Sequence, residues 1–232
     1  MWLFKSSVGR KVVMSVTGLF LVLFLTFHAV MNIVAVFSID AYKAVCEFLG
    51  ANWYALLGTA VIAAGAVIHI FYALWLTIQN RSARGNDRYS VTKRPKSVEW
   101  ASQNMFVLGL IILCFLVLHL YQFWANMQLP EMMGDEANML DGEEALKATF
   151  QNVWVLPVYL VCLFALWFHL THGFWSAFQS IGVSNDKWIE RWKCIGNWWV
   201  TIVILLFALC AIALTCKFAW GCDCIGEFCT VS

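Results

Sequence analysis

Five runs of apolar residues divide the chain. They cover residues 12–36, 55–79, 101–126, 153–180 and 197–220. Each reaches the roughly 20 residues needed to cross a bilayer core. Backbone polar groups in lipid have to be satisfied within the segment, so runs of this length are helices. The pattern predicts an all-α fold, one bundle of five transmembrane helices spanning 1–232. No linker, repeat or low-complexity segment interrupts it. The first run is too long for a secretory signal peptide, and no small-residue cleavage site follows it. The longest connection is 127–152, where Asp141 to Phe150 reads as a short surface helix. Trp53, Trp100, Trp124, Trp154, Trp188, Trp198 and Trp199 fall near run ends, as expected of interfacial anchors.

Composition supports this class. The chain is 62% hydrophobic and only 12% charged, where a soluble domain carries about 25% charged residues. The net charge of +1 says nothing about partners, and no nucleic-acid partner is expected. The distribution of charge says more. Lys5, Arg10, Lys11, Arg81, Arg84, Arg88, Lys93, Arg94, Lys96, Lys187, Arg191 and Lys193 all fall on one side of a five-helix weave. The other side holds Lys43, Lys147 and Lys217 with ten acids, among them Asp40, Glu47, Glu131, Asp135, Glu136, Asp141, Glu143 and Glu144. Basic segments stay in the cytoplasm, which predicts a cytoplasmic N-terminus and an external C-terminus.

Five histidines stand inside the apolar runs: His28, His69, His119, His169 and His172. A titratable ring in hydrocarbon is costly and needs a partner or a task. His69 and His169 lie roughly 11 and 12 residues from the cytoplasmic ends of their helices, about 17 Å from the inner surface. His28 and His119 lie roughly 17 and 19 residues up, at about 27 Å. Four helices thus supply an inner pair and an outer pair, about 10 Å apart in depth. Interhelical hydrogen bonding explains a lone histidine but not this matched set. Zinc or copper would find two ligands per level, short of a tetrahedral set. A bis-histidine haem needs only two opposed imidazoles. Without a Cys-x-x-Cys-His motif the haem would be non-covalent, of b type. Gly18, Ala29, Gly65, Ala66, Gly109 and Gly173 near these positions would leave room for a porphyrin, or serve ordinary helix packing. His172 follows His169 by one turn, so spacing alone does not choose between them. His172 stands nearer the cytoplasmic side, where it could donate a hydrogen bond to a haem propionate.

Away from the run ends, the helices carry no Asp, Glu, Lys or Arg, and the chain has three prolines. Proton-coupled transport usually needs intramembrane acids or bases and discontinuous helices, so transport is disfavoured.

The segment from Arg10 through Gly18 to His28, with Asn32, resembles the first helix of the dihaem cytochrome b anchor of succinate:quinone oxidoreductases, the membrane subunit of succinate dehydrogenases and fumarate reductases. Phe168-His169-Leu170-Thr171-His172-Gly173-Phe174-Trp175, with Gly182, resembles the fourth helix of the single-subunit, five-helix type. There the axial histidine stands four residues before the glycine, which implies His169 rather than His172. The resemblance implies two haem b groups, the inner on His69 and His169, the outer on His28 and His119. It implies a flavoprotein subunit with FAD and an iron–sulfur subunit on the cytoplasmic face. It also implies a quinone, usually menaquinone, near the outer haem, a bacterial inner membrane, and a complex that can dimerise. Dicarboxylate chemistry of the tricarboxylic acid cycle or anaerobic respiration would belong to the partner subunits.

Several roles follow from that resemblance. Ser15 falls where the family contacts an inner propionate, and Arg10, Lys11 and Arg81 could pair with propionates. Some relatives use an outer-side Glu near the second helix as quinol proton acceptor; Asp40 and Glu47 lie in that loop, and Glu47 is the candidate. Asn32, Tyr121 and Gln122 lie at the same end and could hydrogen-bond a quinone carbonyl. Some fumarate reductases carry a Glu two residues before the fourth-helix ligand, in a transmembrane proton path; here that position is Trp167.

Two other readings stay open. One is a dihaem cytochrome b of another quinone-linked dehydrogenase, such as a hydrogenase or formate dehydrogenase. The other is a non-redox membrane protein. Of the nine cysteines, Cys46, Cys114, Cys162, Cys194 and Cys210 suit packing. Cys216, Cys222, Cys224 and Cys229 cluster at the external C-terminus, where disulfides are permitted.

Overall fold

The computed structural model describes residues 6–50, 52–84 and 99–222. Lys5, Arg88, Lys93, Arg94, Lys96, Asp223, Cys224, Glu227 and Cys229 lie outside them. The helices are α1 (Ser7–Phe37), α2 (Ile39–Gly50), α3 (Trp53–Arg84), α4 (Trp100–His119), α5 (Gln128–Met133), α6 (Gly142–Phe150), α7 (Val155–Ser180) and α8 (Ile189–Trp220). A π-helical turn, Leu120–Trp124, continues α4, and a 3-10 turn spans Glu136–Asn138. No strand occurs among the described residues. Five helices are long and apolar enough to cross a membrane: α1, α3, α4 with its π turn, α7 and α8. The chain is built as an all-helical, multi-pass membrane protein.

Local chemistry fixes the ends of these helices. Ser6 caps α1 by accepting the Gly9 N–H at 2.9 Å. The α8 helix ends at Gly221, whose φ of 66° is the left-handed conformation that terminates helices cheaply. Pro157 lies in the first turn of α7, where a missing N–H breaks no helical bond. Several helices run past the apolar runs. α1 starts at Ser7, α3 continues to Arg84 and α8 starts at Ile189, because the hydrogen-bond ladder does not stop where hydrocarbon does. Inside the spans, hydroxyls find partners one turn back: Thr26 on Val22 O, Thr171 on Trp167 O and Thr215 on Ala211 O.

The five spans alternate in direction. At one end, Arg10 of α1 lies over Trp75 of α3, Trp100 of α4 packs on Phe168 of α7, and Phe178 of α7 stacks on Trp192 of α8. This end carries the basic segments. At the other end α2 and α6 close the bundle as a cap. The described residues there include Tyr42 and Leu146, which pack with Ala35, Phe150, Tyr159, Cys210, Ala211 and Leu214 in one buried cluster. The predicted surface helix near Asp141 is present: Asp141 accepts the Glu144 N–H while Glu144 accepts the Asp141 N–H, a capping box. The α2 helix is an addition to the sequence-based expectation.

α1, α7 and α8 form the centre of the bundle. α3 flanks α1 and α4 flanks α7. The rim is apolar and exposed at Leu23, Val67, Ile78, Val117, Val161 and Leu205, as a lipid-facing surface requires. Trp53, Trp100, Trp154 and Trp198 are exposed near span ends. Packing assigns the cysteines unevenly: Cys210 is buried in the cap cluster, whereas Cys114 and Cys194 are exposed and fill no core.

Candidate functional site

The intramembrane histidines meet in two pairs. His69 of α3 and His169 of α7 bring their ring centroids to 6.4 Å with planes at 75°. His28 of α1 and His119 of α4 stand 5.8 Å apart at 88°. The helices that supply a pair are not close-packed neighbours: neither α3 with α7 nor α1 with α4 forms a major helix contact. Each pair therefore reaches across an interhelical gap, and the rings meet in it.

Three helices measure the separation of the levels. Gly18 on α1 and Gly109 on α4 lie against the inner rings, with added Cβ positions 3.3 Å from His69 Cε1 and 3.8 Å from His169 Cε1. Tyr159 on α7 lies at the outer level, its ring 6.4 Å from that of His119. Gly18 to His28, Gly109 to His119 and Tyr159 to His169 each span ten residues, or about 15 Å of helix. Counting inward from span ends underestimates this, because the helices start at unequal depths.

Each ring has its own surroundings. Thr17 Oγ1 lies 3.3 Å from His69 Nδ1 and donates its proton to Val13 O at 2.9 Å. His169 Nδ1 is buried with no hydrogen-bond partner. His119 Nδ1 lies 3.5 Å from the Tyr159 hydroxyl, which donates to Gln122 Oε1 at 2.7 Å. His28 stacks on Phe24 and faces Asn32 Nδ2, 3.2 Å from its Nδ1. Gln122 sits in the π-helical turn directly after His119, and such turns frequently mark functional sites.

The remaining sequence-predicted residues distribute as follows. Ser15 is buried, two residues before Thr17, at the basic side of the inner pair. Arg10 has a buried Nε with no partner, and its guanidinium stands 5.8 Å from the Trp75 ring centroid. His172 lies one turn beyond His169, where its Nδ1 is 3.2 Å from Glu99 Oε2, so this ring is engaged by a carboxylate. Arg81 lies over Phe106. At the outer level, Asn32 donates to the His28 carbonyl oxygen at 2.8 Å and Gln122 accepts from Tyr159. Tyr121 is 69% exposed and points away from the bundle, and Glu47 is exposed on α2. The structure thus gathers Asn32 and Gln122 around the outer pair and leaves Tyr121 and Glu47 at its periphery. Thr17 and Tyr159 are contacts that sequence reading did not single out.

The small residues divide by role. Gly18 and Gly109 face the inner imidazoles. Gly65 receives Phe20, whose Cε1 would lie 2.8 Å from an added Cβ, so it serves helix packing. Gly173 faces nothing within 4 Å.

The donor set can be tested against metals. Among the described residues, no group of three or more His, Cys, Asp or Glu side chains gathers as a ligand cluster. A structural zinc needs four ligands, so the pairs do not suit it. Two imidazoles bonded on opposite sides of one metal at about 2.0 Å each place their centroids roughly 6 Å apart. Both observed separations sit near that value. Arg10 Nε, buried without a partner toward the basic end of the inner pair, is a donor that an anionic side group would use. The residues present fit a bis-imidazole haem at each level.

No protein family, curated protein or solved structure matches the chain.

Proposed function

We propose that the chain is a membrane-embedded electron carrier that binds two b-type haems, serving as the dihaem anchor of a succinate:quinone oxidoreductase. The observation that carries this reading is the meeting of four imidazoles in two opposed pairs, each bridging helices that do not otherwise pack.

His69 and His169 would hold the inner group, and His28 and His119 the outer. When bound, haem supplies one-electron carriage at each level. The chain's own part is positional. α1 and α7 form the fixed centre, so Gly18 and Thr17 set the place of His69 while Gly109 leaves His169 its space. Arg10 and Ser15 lie at the basic end of the inner site and would bind propionates. His172 is the weaker propionate candidate because Glu99 already engages it. Phe150 of the cap packs on Tyr159 of α7, whose ring in turn faces His119, so the cap adjoins the outer pair.

In this reading the basic end faces the cytoplasm of a bacterial inner membrane. There it receives an iron–sulfur subunit and an FAD-bearing flavoprotein. A quinone, menaquinone in the family that the sequence resembles, reacts near the capped end beside Gln122 and Asn32. Glu47 is the proposed quinol proton acceptor, reached from the exposed face of α2.

Purified chain should be red, with a reduced-minus-oxidised spectrum of low-spin haem b and about two haems per chain. A folded but colourless preparation overturns the reading. Co-purification of the flavoprotein and iron–sulfur subunits separates this anchor from a hydrogenase-type cytochrome b.

A further inference from the structure

We propose that Thr17 and Tyr159 are positioning residues that set the tautomer of His69 and His119, leaving Nε2 of each ring bare for a haem iron. The inference rests on the haem reading above and assigns two residues that the reading does not require.

A hydroxyl has one proton to give and two lone pairs with which to accept. Thr17 gives its proton within its own helix, to Val13 O at 2.9 Å, with Met14 O next at 3.1 Å. The oxygen that faces His69 Nδ1 at 3.3 Å can then only accept. With Nδ1 carrying the ring proton toward that oxygen, the lone pair of the neutral imidazole falls on Nε2.

Tyr159 repeats this logic with different atoms. Its O–H is committed to Gln122 Oε1 at 2.7 Å, the shorter of its two polar contacts. The same oxygen faces His119 Nδ1 at 3.5 Å. Once more the hydroxyl is an acceptor toward the ring, Nδ1 holds the proton and Nε2 is bare. One hydroxyl serves each level, from α1 at the inner and α7 at the outer.

The opposing rings are not held in this way. His169 Nδ1 is buried without a partner. The Asn32 amide nitrogen, which donates to the His28 carbonyl oxygen at 2.8 Å, lies 3.2 Å from His28 Nδ1 and 3.4 Å from its Nε2, so neither ring has a hydroxyl acceptor on Nδ1. Each level thus pairs one ring that has an acceptor on Nδ1 with one that has none. An acceptor on the far nitrogen strengthens an imidazole as a metal ligand and favours the oxidised iron. Removing the acceptor should raise the midpoint potential of the haem concerned and leave the other unchanged.

The test is a spectroscopic redox titration of the purified complex with haem counted per chain. Thr17→Val should raise only the inner potential, and Thr17→Ser, which keeps the hydroxyl, should restore it. Tyr159→Phe should raise only the outer one. A tenfold change in the oxidised-to-reduced preference corresponds to about 59 mV for a one-electron couple. Loss of only the haem at the substituted level supports the same assignment. Should Tyr159→Phe fail to assemble, Gln122→Leu releases the Tyr159 proton toward His119 and carries the same expectation. A wild-type complex with two haems whose variants keep both potentials overturns this proposal alone. A wild-type complex that binds no haem overturns the haem reading and this proposal with it.

Discussion

Trp167 donates its indole N–H to Thr201 Oγ1 at 2.9 Å and so ties α7 to α8 two residues before His169. The indole packs beside Leu163, Leu166, Leu170, Val200 and Ile204, a dry contact with no carboxylate in it. In the family that the sequence resembles, some members place a proton-carrying Glu at this position. Here the site holds an apolar ring whose one polar atom is already satisfied. If quinol is oxidised at the capped end, its protons leave there while its electrons cross to the basic end. Position 167 returns no proton with them. The complex reconstituted in liposomes should therefore build a transmembrane potential on turnover with quinol and fumarate, read with a potential-sensitive dye. Turnover without a potential would overturn this. Trp167→Phe should cost about 1 kcal/mol, the scale of an interhelical hydrogen bond in a membrane.

On the proposed dihaem reading, removing one histidine should empty one level. His28→Ala or His119→Ala is expected to lose the outer haem and keep the inner, halving haem per chain. His69→Ala or His169→Ala should do the reverse. His172→Ala should keep both, because that ring meets Glu99 rather than a second imidazole. Haem content and split-band spectra read all five variants. Loss of the inner haem from a His28 or His119 variant would refute the pairing.

The five spans were legible because the energetics of lipid act on every residue of a run, so composition alone reveals them. The histidine pairs were legible for a related reason: depth in a helix is counted in residues. Register across helices was not. It depends on how Gly18 meets His69 and Gly109 meets His169, contacts between residues far apart in sequence. The α2 helix was missed because it lies outside the apolar runs; Tyr42 and Cys46, one turn apart on its buried side, were the available signal. Thr17 and Tyr159 sit in apolar runs as ordinary polar exceptions. What singles them out is where their hydroxyl protons go, which only the packed structure reveals.

The cap should loosen in acid. Lys43 Nζ lies 2.8 Å from Asp141 Oδ2. Its hydrogen bond, followed by the Glu144 N–H, holds the Asp141 carboxyl below the ordinary aspartate range. The same partner holds the Lys43 ammonium above its ordinary value. A lowered carboxyl contributes stability above its unfolded pKa and loses it as pH falls through the folded value. A raised ammonium contributes below its unfolded pKa and loses it as pH rises through the folded one. Both contributions are present at neutral pH, and the Asp141 share fades below about pH 4. The protection factors of the α6 amides, exchange corrected for its intrinsic rate at each pH, should fall in that acid range. Asp141→Asn keeps a good N-cap and should abolish the acid dependence, whereas Asp141→Ala should cost the helix about 1 kcal/mol at any pH. Unchanged α6 protection factors between pH 7 and pH 3 would contradict the clasp.

The α7–α8 contact near the basic end leaves no room for a methyl group at Gly196. A Cβ there would stand 2.6 Å from Phe174 Cδ1 and 3.1 Å from its Cγ. These atoms sit near the root of a buried ring, and Phe174 is packed in turn against Phe178, which stacks on Trp192 at 4.0 Å. The ring cannot swing aside without disturbing that stack, so relief has to come from separating the helices. Overpacking of this kind costs about 1–3 kcal/mol. Gly196→Ala should lower the thermal unfolding temperature of the detergent-solubilised protein. Phe174→Leu in the same chain should recover part of the loss by vacating the ring position. Gly173→Ala, whose added Cβ meets nothing within 4 Å, is the matched control and should not lower stability, since alanine is the better helix former. Equal stability of the Gly196→Ala and Gly173→Ala proteins would show that α7 and α8 are less tightly joined than their geometry requires.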